Sequence, residues 1–139
     1  MGCDIHAFIE VKISDKWVLC STPRIQRAYK LFGKIAGVRI NDESPIVAPQ
    51  GIPSDLSQIT QIEWNKWQPD AHNAGWLNAS QIKEMCDWAG ERDKECGDWY
   101  GKWEHNELGY ISGNAVYGVP GSDYPSEYQD VRMVFWFDN

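Results

Sequence analysis

The stretch CDIHAFIEVKI, residues 3–13, alternates between two kinds of side chain along its whole length. One set is small or apolar (Cys3, Ile5, Ala7, Ile9, Val11), and the other is mostly polar (Asp4, His6, Phe8, Glu10, Lys12). A period of two predicts a β-strand whose two faces meet different surroundings. The Ser14–Asp15 break and the run KWVLC (residues 16–20) predict that a second strand pairs with it as a hairpin.

Three helices are predicted after this hairpin, each from its own start and stop signals. The first follows the Thr22–Pro23 pair and ends before Gly37, with apolar residues spaced along one face. The second is capped by Ser54 and runs to Trp67, after which the segment 68–76 breaks it. The third spans residues 79–89, from an Asn78/Gln81 capping box to Gly90.

The end of the chain, DVRMVFWFDN (residues 130–139), is rich in β-forming residues and predicts a final strand. Strands at both ends with helices between them favour an α+β fold, in which the two terminal strands share one mostly antiparallel sheet. The 139 residues suffice for one domain, 1–139. Residues 91–127 show no clear period, and no element is assigned to them.

Composition narrows the class of protein. The net charge of −7 argues against binding to duplex nucleic acid, which depends on neutralising phosphates. The sequence has no apolar run long enough to cross a membrane and no basic amphipathic helix of the kind that binds a membrane surface. The four cysteines lack CxxC spacing and no signal peptide precedes them, so we expect free thiols in the cytoplasm. The sequence is compatible with a homo-oligomer and does not determine the oligomeric state.

Two D-x-H pairs are the candidates for chemistry. Asp4 and His6 lie two residues apart on the first strand and so share a face, while Asp70 and His72 repeat the pair after the second helix. Together these four side chains would supply mixed nitrogen and oxygen ligands for a divalent metal and act as the catalytic set. The alternatives are an exposed strand face with an incidental ion pair and a solvated loop.

Four further residues could join this site. His105 lies in the unassigned segment and could add a ligand or an acid, although a solvated loop is the simpler reading. Asp138 would come close to Asp4 if the first and last strands are neighbours. Arg27 and Arg39 carry guanidinium groups of the kind that bind phosphate oxygens.

Several motifs resemble a family of small phage and prophage proteins along nearly the whole chain. They are MGCDIH at the start, R-x-Y-x-L-F (27–32), A-G-V-R (36–39), G-I-P-x-D (51–55), D-A-H-x-x-x-W-L (70–77) and the ending VRMVFWFDN. The resemblance implies a phage or prophage context more than an activity, and it supports Arg27 as a ligand-binding residue. Tyr29, Arg39 and Trp76 are the other ligand-binding candidates. Related sequences often carry a second histidine where this chain has Ala74, and an arginine where it has Gln50.

Three functions are compatible with these features. The first is metal-assisted hydrolysis of a small nucleotide or phosphodiester, such as a host immune signal, by a counter-defence enzyme. The second is a sponge that sequesters the nucleotide without turnover, using aromatic stacking and arginine contacts. The third is an interaction protein that inhibits a host enzyme through an acidic, aromatic surface.

Overall fold

The computed structural model describes residues 2–25, 27, 29–38, 45–48, 50–96 and 130–139. Within these ranges lie four strands and three helices. Their bounds are β1 Asp4–Ile13, β2 Lys16–Ser21, α1 Tyr29–Ala36, α2 Gln58–Trp67, β3 His72–Asn78, α3 Ala79–Cys96 and β4 Asp130–Asp138. This is the predicted single small α+β domain. No helix in the described ranges is long and apolar enough to cross a membrane.

The two ends of the chain form the centre of the sheet. The strand order is β2-β1-β4-β3, and every neighbouring pair is antiparallel. β1 and β4 pair along their full length, from Asp4 opposite Asp138 to Lys12 opposite Asp130. This pairing ties β1 into the centre of the sheet. The predicted neighbourhood of Asp4 and Asp138 is confirmed.

The sheet has two different faces, as the alternation of β1 predicts. The odd-numbered residues of β1 and β4 pack with α1 and α3 in the larger core, which includes Ile9, Phe32, Ile82 and Phe137. The even-numbered residues Phe8, Val134 and Trp136 form a smaller core, against which Trp64 and Trp67 of α2 pack. Four of the eight tryptophans (Trp64, Trp67, Trp76, Trp136) belong to this second cluster. Their main role is therefore packing.

Two predicted helix starts are wrong. The first helix begins at Tyr29, and residues 22–25 are not helical, because this segment carries Arg27 and Tyr29 back to the start of β1. The second begins at Gln58, with Ser57 as the N-cap in place of Ser54. The Ser57 hydroxyl accepts a hydrogen bond from the Thr60 amide at 3.4 Å, as an N-cap side chain does.

The third helix starts as predicted but ends later. Asn78 and Gln81 exchange reciprocal hydrogen bonds of 2.9 Å, which is the predicted capping box. The helix continues through Gly90 to Cys96, since one glycine costs only about 1 kcal/mol inside a helix.

The segment 68–76, predicted to be irregular, contains the start of strand β3. A register shift between His72 and Gly75 and the positive φ of 50° at Asn73 disrupt the alternation that would have identified the strand.

A buried ion pair attaches α2 to the sheet. Glu10 of β1 is 0% exposed, and its carboxylate accepts hydrogen bonds from the Arg132 guanidinium at 2.8 Å and from the Ser57 amide at 2.8 Å. Arg132 also donates to the Asp55 carboxylate at 2.8 Å. Its guanidinium lies 3.9 Å from the centre of the Trp17 ring. Since each buried charge has a partner, this network fixes the N-terminus of α2 over β1 and β4.

Candidate functional site

Polar side chains gather at one end of the sheet, where β1 begins, β4 ends and β3 begins. We call this region the polar end; it comprises Asp4, His6, Arg27, Asp138, His72 and Asn139. Antiparallel pairing brings together the groups of β1, β3 and β4, and Arg27 joins them from the segment before α1. Two of the three histidines lie here.

His6 lies in a partly enclosed position on the α2 face of the sheet. Its Nε2 atom is 3.3 Å from a carboxylate oxygen of Asp138, and the two side chains are 25% and 18% exposed. The Trp67 ring covers the imidazole, with the ring centres 4.2 Å apart. Trp136 stacks from the sheet side at 6.3 Å. The imidazole is thus held in a defined orientation while one edge still reaches solvent.

Arg27 and Asp4 form a two-point ion pair beside His6. The Nε and Nη2 atoms of Arg27 donate to the two carboxylate oxygens of Asp4 at 2.7 and 3.0 Å. These hydrogen bonds lower the pKa of Asp4 and raise the pKa of Arg27. The guanidinium lies against Gly2, where an added Cβ would overlap its Nη1 atom. The absence of a side chain at Gly2 therefore makes room for Arg27.

The four charged or titratable groups on this side act on one another. The pKa of Asp4 is lowered mainly by its hydrogen bonds with Arg27 and to a smaller degree by the charge of His6. The pKa of Arg27 is raised mainly by Asp4, with a smaller contribution from Asp138. Asp4, His6, Arg27 and Asp138 therefore form one electrostatic unit, which contains a cation, two carboxylates and an imidazole.

His72 lies on the opposite face of the sheet from His6. It pairs with Phe137 and stacks on the Phe137 ring at 6.1 Å, whereas His6 pairs with Trp136. Adjacent residues of a strand point to opposite faces, so the two imidazoles are separated by β4. The ring nitrogens of His72 are 2.8 Å from Asn73 Oδ1 and 3.2 Å from Asn139 Oδ1.

The predicted metal ligands are therefore not brought into one set. The strands that carry His6 and His72 lie on either side of β4, roughly 10 Å apart. Asp4 is bound by a guanidinium, and Asp70 is exposed in the turn after α2. Within the described ranges, no three His, Cys, Asp or Glu side chains group closely enough to hold a metal ion. The residues present do not fit the predicted four-ligand site.

The predicted ligand-binding residues are also divided. Tyr29 packs edge-on against Phe32, and its hydroxyl accepts a hydrogen bond from the Cys3 amide at 3.3 Å. Trp76 packs in the smaller core, on the α2 face of the sheet, whereas Tyr29 packs against the larger core on the opposite face. Of this group only Arg27 belongs to the electrostatic unit, with Tyr29 near it. Arg39 and His105 lie outside the described residues.

Sequence reasoning missed two features of this side of the sheet. Trp67 is predicted as the end of the second helix, but nothing in the spacing shows that it covers His6, because that contact depends on how α2 lies on the sheet. The Glu10–Arg132 pair did have a signal. Both are charged residues within strands that are otherwise largely apolar, and such residues are buried only with a partner.

No protein-family model matches this chain, and no curated protein or solved structure matches it significantly. The resemblance to small phage and prophage proteins stays a prediction. The function must therefore be inferred from the residues of the polar end.

Proposed function

We propose that the electrostatic unit of Asp4, His6, Arg27 and Asp138 binds a small phosphate-bearing ligand, a nucleotide or a phosphodiester, and that His6 with Asp138 exchanges a proton with it. The observation that carries this proposal is the His6–Asp138 pair, 3.3 Å apart and partly exposed beside Arg27 and Asp4. A carboxylate that orients an imidazole is a common acid–base arrangement. Histidine also exchanges protons readily near neutral pH.

Arg27 supplies the contact to phosphate in this proposal. Its Nε and one N–H of Nη2 are engaged by Asp4, which leaves three of the five guanidinium N–H groups for a ligand. A guanidinium can bridge a carboxylate and a phosphate, and its planar fork suits two phosphate oxygens. Asp4 then acts as the positioning residue that holds the guanidinium beside His6.

Hydrolysis of a phosphodiester would need one proton to move twice. Nδ1 of His6 would accept a proton from the attacking water as the new P–O bond forms, while Nε2 donates to Asp138. The imidazolium would then return the proton to the departing oxygen as the old P–O bond breaks. Asp138 would stabilise the transient positive charge on the ring.

The metal-assisted mechanism expected from the sequence is not part of this proposal, since its four ligands do not converge. The phage context implied by the resemblance would make a nucleotide signal of host defence the natural ligand, in the cytoplasm of the bacterial host. A sponge would use the same site without turnover. Trp67 favours this second candidate, because it restricts access to the imidazole.

Bis(p-nitrophenyl) phosphate and a panel of cyclic nucleotides would test the proposal. We expect release of p-nitrophenol, or cleavage of one nucleotide, with and without EDTA. His6→Ala should lower the rate about 10²-fold or more, as loss of a general acid–base does. Arg27→Ala should mainly raise KM.

The matched control is His72→Ala, because His72 also bonds to the end of β4 but lies on the other face. It should retain activity. Equal losses in both histidine variants would overturn the assignment of His6. Loss of activity with EDTA and recovery with a divalent metal would favour the metal-assisted mechanism. A bound nucleotide recovered intact after heat denaturation would identify a sponge.

A further inference from the structure

A concave site lies at the opposite end of the smaller core from His6, between β2 and the start of α2. This groove has a volume of about 610 Å³, within the range of small-molecule sites. Its lining includes Trp17, Leu19, Asp55, Leu56, Ser57 and Ile59. Its walls are mainly apolar, and it shares no residue with the polar end.

The groove has one well-oriented polar group, the Asp55 carboxylate. Arg132 donates to its Oδ1 atom at 2.8 Å, and Arg132 is itself buried against Glu10. The Asp55 side chain is nevertheless 64% exposed, so acceptor positions remain open to the groove. Hydrogen bonding from Arg132, and to a smaller degree from Trp17, lowers the pKa of Asp55 and keeps it charged at neutral pH.

The charges around the groove favour a cationic ligand. One guanidinium, Arg132, is shared by two carboxylates, Glu10 and Asp55, and only Asp55 faces the groove. Asp15 adds a carboxylate at the rim. An anion is disfavoured, because the Glu10 carboxylate already accepts the Ser57 amide at the start of α2.

Two lysines lie close by, and one of them, Lys16, lines the groove next to Asp15. Lys12 lies over the Trp17 ring, 5.8 Å from its centre. Lys16 pairs with Ile13, so its side chain belongs to the other face of the sheet from Trp17.

We propose that this groove binds an alkylammonium or alkylguanidinium group, with the cation on Asp55 and the alkyl chain against Leu19, Leu56 and Ile59. The charge-assisted hydrogen bond gives orientation, and the apolar walls give burial of the chain. The same chemistry is found in free amines and in lysine or arginine side chains of a protein partner. This site is independent of the proposed function of the polar end.

n-Hexylammonium is the probe for the test, with 1-hexanol as the neutral analogue, monitored by amide and indole N–H shifts in NMR spectra. Saturable shifts are expected at Trp17, Gln58 and Ile59. Hexanol should bind about tenfold more weakly, since it cannot form the ion-assisted contact. A leucine–lysine–leucine peptide forms the second arm; tighter binding than hexylammonium at the same residues would assign the cation to a protein side chain.

Two isoleucines of α2 provide a matched pair of variants that should both fold, because Ile59 and Ile62 are 56% and 50% exposed. Ile59→Lys places an ammonium inside the groove and should weaken hexylammonium binding by about tenfold or more. Ile62→Lys adds the same charge outside the groove lining and should bind as the parent protein does. Equal effects of the two substitutions, equal affinity for hexanol, or no saturable shift would overturn the proposal.

Discussion

The imidazole of His6 and the carboxylate of Asp138 are 3.3 Å apart although 132 residues separate them in the sequence. They meet because the first and last strands pair along their full length at the centre of the sheet. A neutral imidazole that donates its Nε2–H to Asp138 has its lone pair on Nδ1. The described contact between His6 and Asp138 uses Nε2 and not Nδ1. The contact therefore selects the nitrogen that would act as a base.

Replacement of Asp138 by asparagine should affect chemistry more than folding. The amide cannot stabilise a positive imidazolium, so we expect kcat for the phosphodiester probe to fall by about 10²-fold or more. The ¹⁵N shifts of the His6 ring should show a changed tautomer balance. Asp130→Asn, at the other end of β4, is the control and should leave both readouts unchanged. An unaltered kcat in Asp138→Asn would contradict the positioning role of Asp138.

Gly2→Ala should displace Arg27 without touching His6. The new Cβ would overlap the guanidinium, which is the flexible end of its side chain, so the guanidinium should move off Asp4. Since the Arg27–Asp4 pair is exposed and screened by solvent, we expect little loss of stability. Ligand affinity should fall toward that of Arg27→Ala. Isothermal titration would measure this, and full affinity in Gly2→Ala would argue against Arg27 as the phosphate contact.

Glu10→Ala should be strongly destabilising. Glu10 and Arg132 are both buried, and removal of one partner leaves a buried charge with less compensation, at a cost of about 3 kcal/mol or more. Urea denaturation would measure the change in the free energy of unfolding. Lys83→Ala breaks an exposed pair with Asp87 on α3 and should change the free energy of unfolding far less than Glu10→Ala does. Similar losses in the two variants would contradict the role assigned to the buried network.

The free energy of unfolding should decrease above about pH 9. Burial raises the pKa of the Cys86 thiol from 9.0 to about 12. In this window the unfolded chain releases the proton while the folded chain keeps it, so rising pH favours unfolding. Cys86→Ser removes this contribution and should show a shallower loss between pH 9 and 11. Denaturant titrations of both proteins across that range would test it; parallel curves would contradict it.

Much of the fold follows from local patterns. The alternation of residues 3–13 predicts β1 and its two-faced character, and the Asn78/Gln81 box predicts the start of α3. β3 was not predictable in the same way, because Asn73 and the bulge beside it interrupt the alternation. The sequence predicts that Ser54 caps α2, but the cap is Ser57. Both residues have the hydroxyl that an N-cap needs, and Ser57 also donates its amide to the buried Glu10 carboxylate, a contact that the local sequence does not reveal.

The sequence by itself determined the α+β class, the strands at the two ends of the chain and the sharing of one strand by Asp4 and His6. These depend on the period of side chains along the chain, which is local. Only the tertiary structure decided that His6 meets Asp138, that Arg27 binds Asp4 and that His72 lies behind the sheet. Strand order and register set those contacts, because a neighbour in the sheet is defined by backbone pairing and not by distance along the chain.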